Sequence, residues 1–90
     1  MDKAVITVVG KDRLGILAKT CTYLADNGVN ILDISQTILQ GIFTMTMLVD
    51  LQDADVDFAA VQDELSTCSE KLGVQIMMQR EEVFKFMYRL

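Results

Sequence analysis

The order in which the hydrophobic period changes along the chain is the feature that most limits its fold. Lys3-Ala4-Val5-Ile6-Thr7-Val8-Val9 is rich in β-branched residues and closed by Gly10, so it reads as a strand. From Leu14 the period becomes helical, with Leu14, Leu17, Ala18, Cys21, Leu24 and Ala25 on one apolar stripe. Asp12 or Arg13 precedes that stripe, and aspartate is a good N-cap. Asn27-Gly28 stops the helix, with Gly28 suited to the left-handed position after the last turn. Val29 to Ile38 is predicted as a second strand, Leu39-Gln40-Gly41 as a short turn, and Ile42 to Val49 as a third strand, together a hairpin. In the third strand Phe43, Met45, Met47 and Val49 alternate with Thr44 and Thr46, the pattern of a sheet with one face on a core. After an acidic connection, Asp50 to Asp57, the period returns to three and four at Phe58, Val61, Leu65, Cys68 and Leu72. Gly73 ends this helix, and Val74 to Gln79 is a fourth strand. Glu81 to Leu90 is predicted as a short last helix with Val83, Phe84, Met87 and Tyr88 on one side.

This order, β-α-β-β-α-β with a C-terminal helix, specifies an α/β (α+β) sandwich of ferredoxin-like type. Its four-stranded antiparallel sheet carries two helices on one face. Ninety residues make one domain, 1–90. Gly28-Val29-Asn30-Ile31 and Gly73-Val74-Gln75-Ile76 are matching exits from helix to strand in the two halves. The sheet face away from the two helices carries Val5, Thr7, Val9, Thr44, Thr46, Leu48, Gln75, Met77 and Gln79, neither clearly polar nor clearly a core. Such a mixed face implies pairing with another subunit, or cover by the folded-back C-terminal helix, or both.

Composition removes several function classes. The chain is 51% hydrophobic and 23% charged, a globular balance. There is no histidine, which excludes imidazole bases and most zinc sites. The net charge of −5 argues against a nucleic-acid partner, which usually meets a basic patch. No apolar run approaches the ~18–20 residues of a membrane span, and Met1-Asp2-Lys3-Ala4 does not start a signal peptide, so the expected location is cytoplasmic. Cys21 and Cys68 stand far apart in sequence and are read as two buried, reduced thiols, with a single bridge as the other arrangement.

Three motifs touch on chemistry. Gly10-Lys11-Asp12-Arg13-Leu14-Gly15 has the glycine spacing of a phosphate-binding loop, but Ile16-Leu17 replaces the lysine and hydroxyl residue that such a loop needs. It remains a tight strand-to-helix turn: either a compact capped connection or a place where free N–H groups accept an anion. Asp53, Asp55, Asp57 and Glu64 have part of a calcium-loop spacing, yet Phe58 stands where glycine is required. Acidic residues ahead of a helix also complement its dipole, the preferred reading. RNA-binding domains of this architecture need stacking aromatics on the central strands, and metal chaperones need a CxxC in the first loop. Strand one offers valine and threonine, strand three has only Phe43 in its apolar register, and Lys11-Asp12-Arg13 stands where the CxxC would be. No cofactor motif is found, and no nucleophile–base pair is visible.

Val8-Val9-Gly10-Lys11-Asp12-Arg13-Leu14-Gly15-Ile16, followed by Gly28-Val29-Asn30-Ile31-Leu32-Asp33-Ile34-Ser35-Gln36, strongly resembles the ACT domain family. The likeness is greatest to the small stand-alone ACT proteins of bacteria and archaea, and it covers nearly the whole chain. Leu14 stands where many relatives have proline. The resemblance implies a non-catalytic regulatory module that binds a small ligand, an amino acid first, as a homodimer, and serves a regulated protein it does not identify. The alternative it leaves open is an adaptor of the same fold that binds another protein and no ligand. It also implies the site residues. Lys11, Asp12, Arg13, Gly15 and Ile16 correspond to the family's first loop, and Asn30, Ile31 and Leu32 to the dimer seam at the start of the second strand. A zwitterion needs N–H donors for its carboxylate and acceptors for its ammonium, and these positions offer both.

Overall fold

In a computed structural model, residues 2–11 and 13–87 are described, without the side chains of Arg13, Leu14, Ile16, Phe84, Phe86 and Met87. The elements are β1 (Lys3–Gly10), α1 (Arg13–Asp26), β2 (Asn30–Leu39), β3 (Ile42–Asp50), α2 (Phe58–Leu72), β4 (Gln75–Arg80) and α3 (Glu81–Met87). All strand pairings are antiparallel and the sheet order is β2-β3-β1-β4, the ferredoxin-like arrangement. Every expected element is present, with boundaries moved by one or two residues. Of the two residues expected ahead of α1, Arg13 is its first residue, while Asp12, like the last helix beyond Met87, lies outside the described residues.

Alternation builds the core. Ala4, Ile6 and Val8 of β1 meet Val49, Met47 and Met45 of β3 across the sheet, and Met78 of β4 stands opposite Ile6. All of these are buried. Helix α2 supplies Val61 and Leu65, held at its start by Asp57, whose carboxylate accepts from the Ala60 N–H at 2.9 Å. That contact is an N-cap, the helix-stabilising role read for the acidic residues ahead of α2, here filled by Asp57. Among the described residues no three metal-type ligands come together. In α1 the buried stripe differs from the expected one: Leu24 is buried and Leu17 and Cys21 half-buried, but Ala18 and Ala25 are exposed, and Thr20 is buried in their place. The small alanine side chains gain little from burial, so packing rather than pattern decides which side of the stripe turns inward.

The two glycine exits are the same structure. Gly28 and Gly73 have φ of 72° and 67°, a conformation that favours glycine. Val29 N–H donates to Leu24 O at 2.9 Å and Val74 N–H to Ser69 O at 3.2 Å, each satisfying a last-turn carbonyl. Both valines are buried. The hairpin between β2 and β3 closes with two residues, Gln40 and Gly41, both at positive φ, instead of the three expected.

Helix α3 follows β4 without a connecting residue and packs on β1 and β4 from the face opposite α1 and α2. It covers part of the mixed sheet face, leaving Val5 only 6% exposed. Of the two fates open to that face, cover by the C-terminal helix is therefore realised over Val5, while Met77 stays 51% exposed. Across the end of the sheet, Arg80 pairs with Asp2 at 2.6 Å and its guanidinium lies 4.5 Å from the centre of the Phe58 ring.

Candidate functional site

The first loop leaves β1 at Gly10, which stands opposite Phe43, and reaches α1 at Arg13. Lys11 is exposed there. Gly10 and Lys11 line a cleft of about 660 Å³ with Val9, Ile42 and the Leu72–Gln75 exit from α2. That volume falls within the roughly 300–1,000 Å³ of small-molecule sites. The residues contributed by the second glycine exit were not among the expected site residues. The signal for them was the repeated Gly-Val exit, which places the end of α2 beside the end of β1.

Asn30 begins β2 and pairs with Asp50, which in turn pairs with Lys3. From Phe43 to Asp50 the chain runs seven residues, roughly 23 Å at strand rise. The two groups of expected site residues therefore lie at opposite ends of one sheet. Within one chain the Lys11–Gly15 turn does not face Asn30. Asp12 lies outside the described residues, and Arg13 and Ile16 are placed by backbone alone in the first turn of α1. Gly15 is half-buried in that turn. Ile31 is half-buried against the core opposite Val49, while Leu32 is 43% exposed at a β-bulge that interrupts the register between Ile31 and Asp33.

The outer edge of β2 pairs with nothing among the described residues. All but one of its ten residues are exposed, and Ile34, Ile38 and Leu39 are among the large apolar ones, joined at the hairpin by Ile42. A long apolar edge without proline or lysine is a ready template for another strand.

The thiols are free, and both are half-buried rather than fully buried. Burial pushes the Cys21 thiol up, which lowers its thiolate fraction. Cys68 and Tyr23 share a groove between α1 and α2, and Tyr23 is pushed up by burial first, then by Glu64 and Cys68. No described helix is long and apolar enough to cross a membrane.

Comparison with known proteins agrees with this architecture. The family model for the ACT domain matches residues 2–79. A UPF0237 protein of Bifidobacterium longum is 52% identical over 90 residues, covering 100% of both chains. The solved ACT domain protein from Streptococcus pneumoniae is 42% identical, with a TM-score of 0.78 over 93% of this chain and 94% of that one. A solved protein assigned as a glycine cleavage system transcriptional repressor is 28% identical, with a TM-score of 0.76 over 88% of this chain and 45% of that one. A sheet of this order with a cleft at its first loop, matched along nearly its whole length by that model, defines the class: the chain belongs to the ACT domain family. ACT domains are typically regulatory modules that bind small ligands, and they commonly dimerise.

Proposed function

We propose that this chain is one ACT unit, non-catalytic and cytoplasmic, that senses an amino acid as a homodimer and passes that state to a regulated protein. The observation that carries the reading is the separation of the two halves of the site. If β2 pairs antiparallel with β2 of a second copy, Asn30 of the partner subunit turns toward this chain's Lys11–Gly15 end. A ligand would then sit between loop N–H groups and the cleft on one side and the partner's Asn30 on the other, present only in the dimer. The unpaired edge of β2 and the exposed Ile34, Ile38 and Leu39 support such pairing. The similarity to a protein assigned as a transcriptional repressor supports a regulatory role.

Thermal melting against a panel of amino acids tests this. A ligand at about a hundred times its dissociation constant stabilises by about 2.7 kcal/mol. For a domain of this size that raises Tm by roughly ten degrees or more. Asn30→Ala should abolish the rise with little change in the unliganded melt, because Asn30 is exposed. Gly15→Val should abolish it too. A rise that survives Asn30→Ala would put the ligand elsewhere. The exposed hairpin tip, with Leu39 71% and Ile42 47% exposed, favours a second reading, an adaptor that grips a protein and no ligand. A panel with no shift at all would move that reading to the front.

A further inference from the structure

The sheet face under α3 holds a cavity of about 230 Å³ that is separate from the first loop. Its origin is geometric. The described part of α3, Glu81–Met87, runs about 10 Å and lies over Val5. Between its flank and β2, Val5 and Leu48 form an apolar floor with Thr46 beside them. Glu81 and Lys85 of α3 stand on one side and Asp33 of β2 on the other.

The bulge at Leu32 decides what faces that floor. Ile31 pairs with Val49, and the next residue in strict alternation, Leu32, would stand opposite Leu48. The inserted position puts Asp33 there instead, exchanging a leucine for a carboxylate at the rim of an apolar hollow. Among the described residues Asp33 takes part in no ion pair. Its Oδ1 accepts from the adjacent Ile34 N–H, at 2.9 Å. On the far rim Lys85 and Glu81 are loosely paired at 3.8 Å, and Lys85 is 73% exposed and free to turn. The cavity thus offers a hydrocarbon surface, an anion with no ion pair among the described residues, and a cation across from it. Its volume is below the roughly 300 Å³ at which pockets begin to enclose a drug-sized molecule.

We propose that this cavity binds a small ammonium compound with a branched hydrocarbon body, the ammonium on Asp33 and the body on Val5 and Leu48. The cavity is lined within one chain, so the site does not rest on the loop site or on dimer formation. The test is a titration of the full chain followed by amide resonances in nuclear magnetic resonance. Three probes share one body: isoamylamine, leucine, and isocaproate, which lacks the ammonium. Isoamylamine and leucine should give saturable shifts at Val5, Thr46 and Leu48. Tighter binding of leucine would identify a free amino acid that also uses Lys85, and tighter binding of isoamylamine a simple amine. Isocaproate should bind about tenfold more weakly or worse, and Asp33→Asn should weaken the amine by about tenfold, the worth of one charge-assisted contact. The proposal is overturned if isocaproate binds as well as the amine or if Asp33→Asn changes nothing. It is also overturned if the shifts gather at Lys11–Gly15 instead, or if none of the three saturates.

Discussion

Strands β2 and β3 are neighbours of ten and nine residues joined by a two-residue turn, yet their surroundings are opposite. In β3 the residues alternate strictly, with Phe43, Met45, Met47 and Val49 all at 1% exposure or less. In β2 the residues that share their face, Ile34, Gln36 and Ile38, are exposed, although each stands directly opposite a buried partner. The pair Ile38 and Phe43 is the extreme case: one is 57% exposed and the other 1%. Isoleucines thus stand beside buried partners yet stay exposed, and burial is set by position in the sheet. The centre of the sheet is covered by helices, and the edge extends past them. Burial of a large aliphatic side chain is worth about 1.5–3 kcal/mol. Ile34 and Ile38 realise only part of it in a lone chain, which leaves a driving force for association.

The largest expected effect separates that pair. Phe43→Ala should cost about 3–5 kcal/mol in urea unfolding, while Ile38→Ala in the monomer should stay within about 0.5 kcal/mol. Comparable losses would mean that the edge is covered after all. Next in size is assembly. Sedimentation at micromolar concentration should give about twice the 10.1 kDa of one chain. Ile34→Lys should return it to one chain without unfolding it, because a charged side chain blunts a strand edge. A wild-type monomer at every concentration would remove the dimer and the shared site together. The smallest effect concerns the bulge. Deleting Leu32 should cost less than about 1 kcal/mol, since the inserted residue has no partner in β3 and the pairs on both sides of it are retained. A collapse of stability would show that Leu32 holds the register.

The contrast also shows what could be read from the residues alone. The alternation in β3, the α2 stripe and the two Gly-Val exits led directly to the fold, because each is a local pattern with one structural solution. The bulge was not legible. Asn30-Ile31-Leu32-Asp33-Ile34 reads as continuous strand, and only pairing with β3 reveals that one residue is extra. Thr20 was missed in α1 because a hydroxyl gives no apolar signal, and its burial is decided by the elements packed around it. For the site, resemblance supplied residue types without saying which end of the sheet, or which copy of the chain, each would occupy. Lys11 and Asn30 belong to one motif pair in sequence and to opposite ends of the molecule in space.

The pairing of Ala4 with Arg80, reinforced by the Asp2–Arg80 contact at 2.6 Å, has a mechanical consequence. Strands β1 and β4 run antiparallel, so tension applied at Lys3 and Arg80 falls first on that one pair. It then passes to Val5 and Gln79, and so on toward Val9 and Gln75, one rung at a time. The strands open as a zipper rather than sliding in shear, where every rung would share the load. A pull through these two points therefore meets little resistance, and the first thing it disturbs is the junction from which α3 departs.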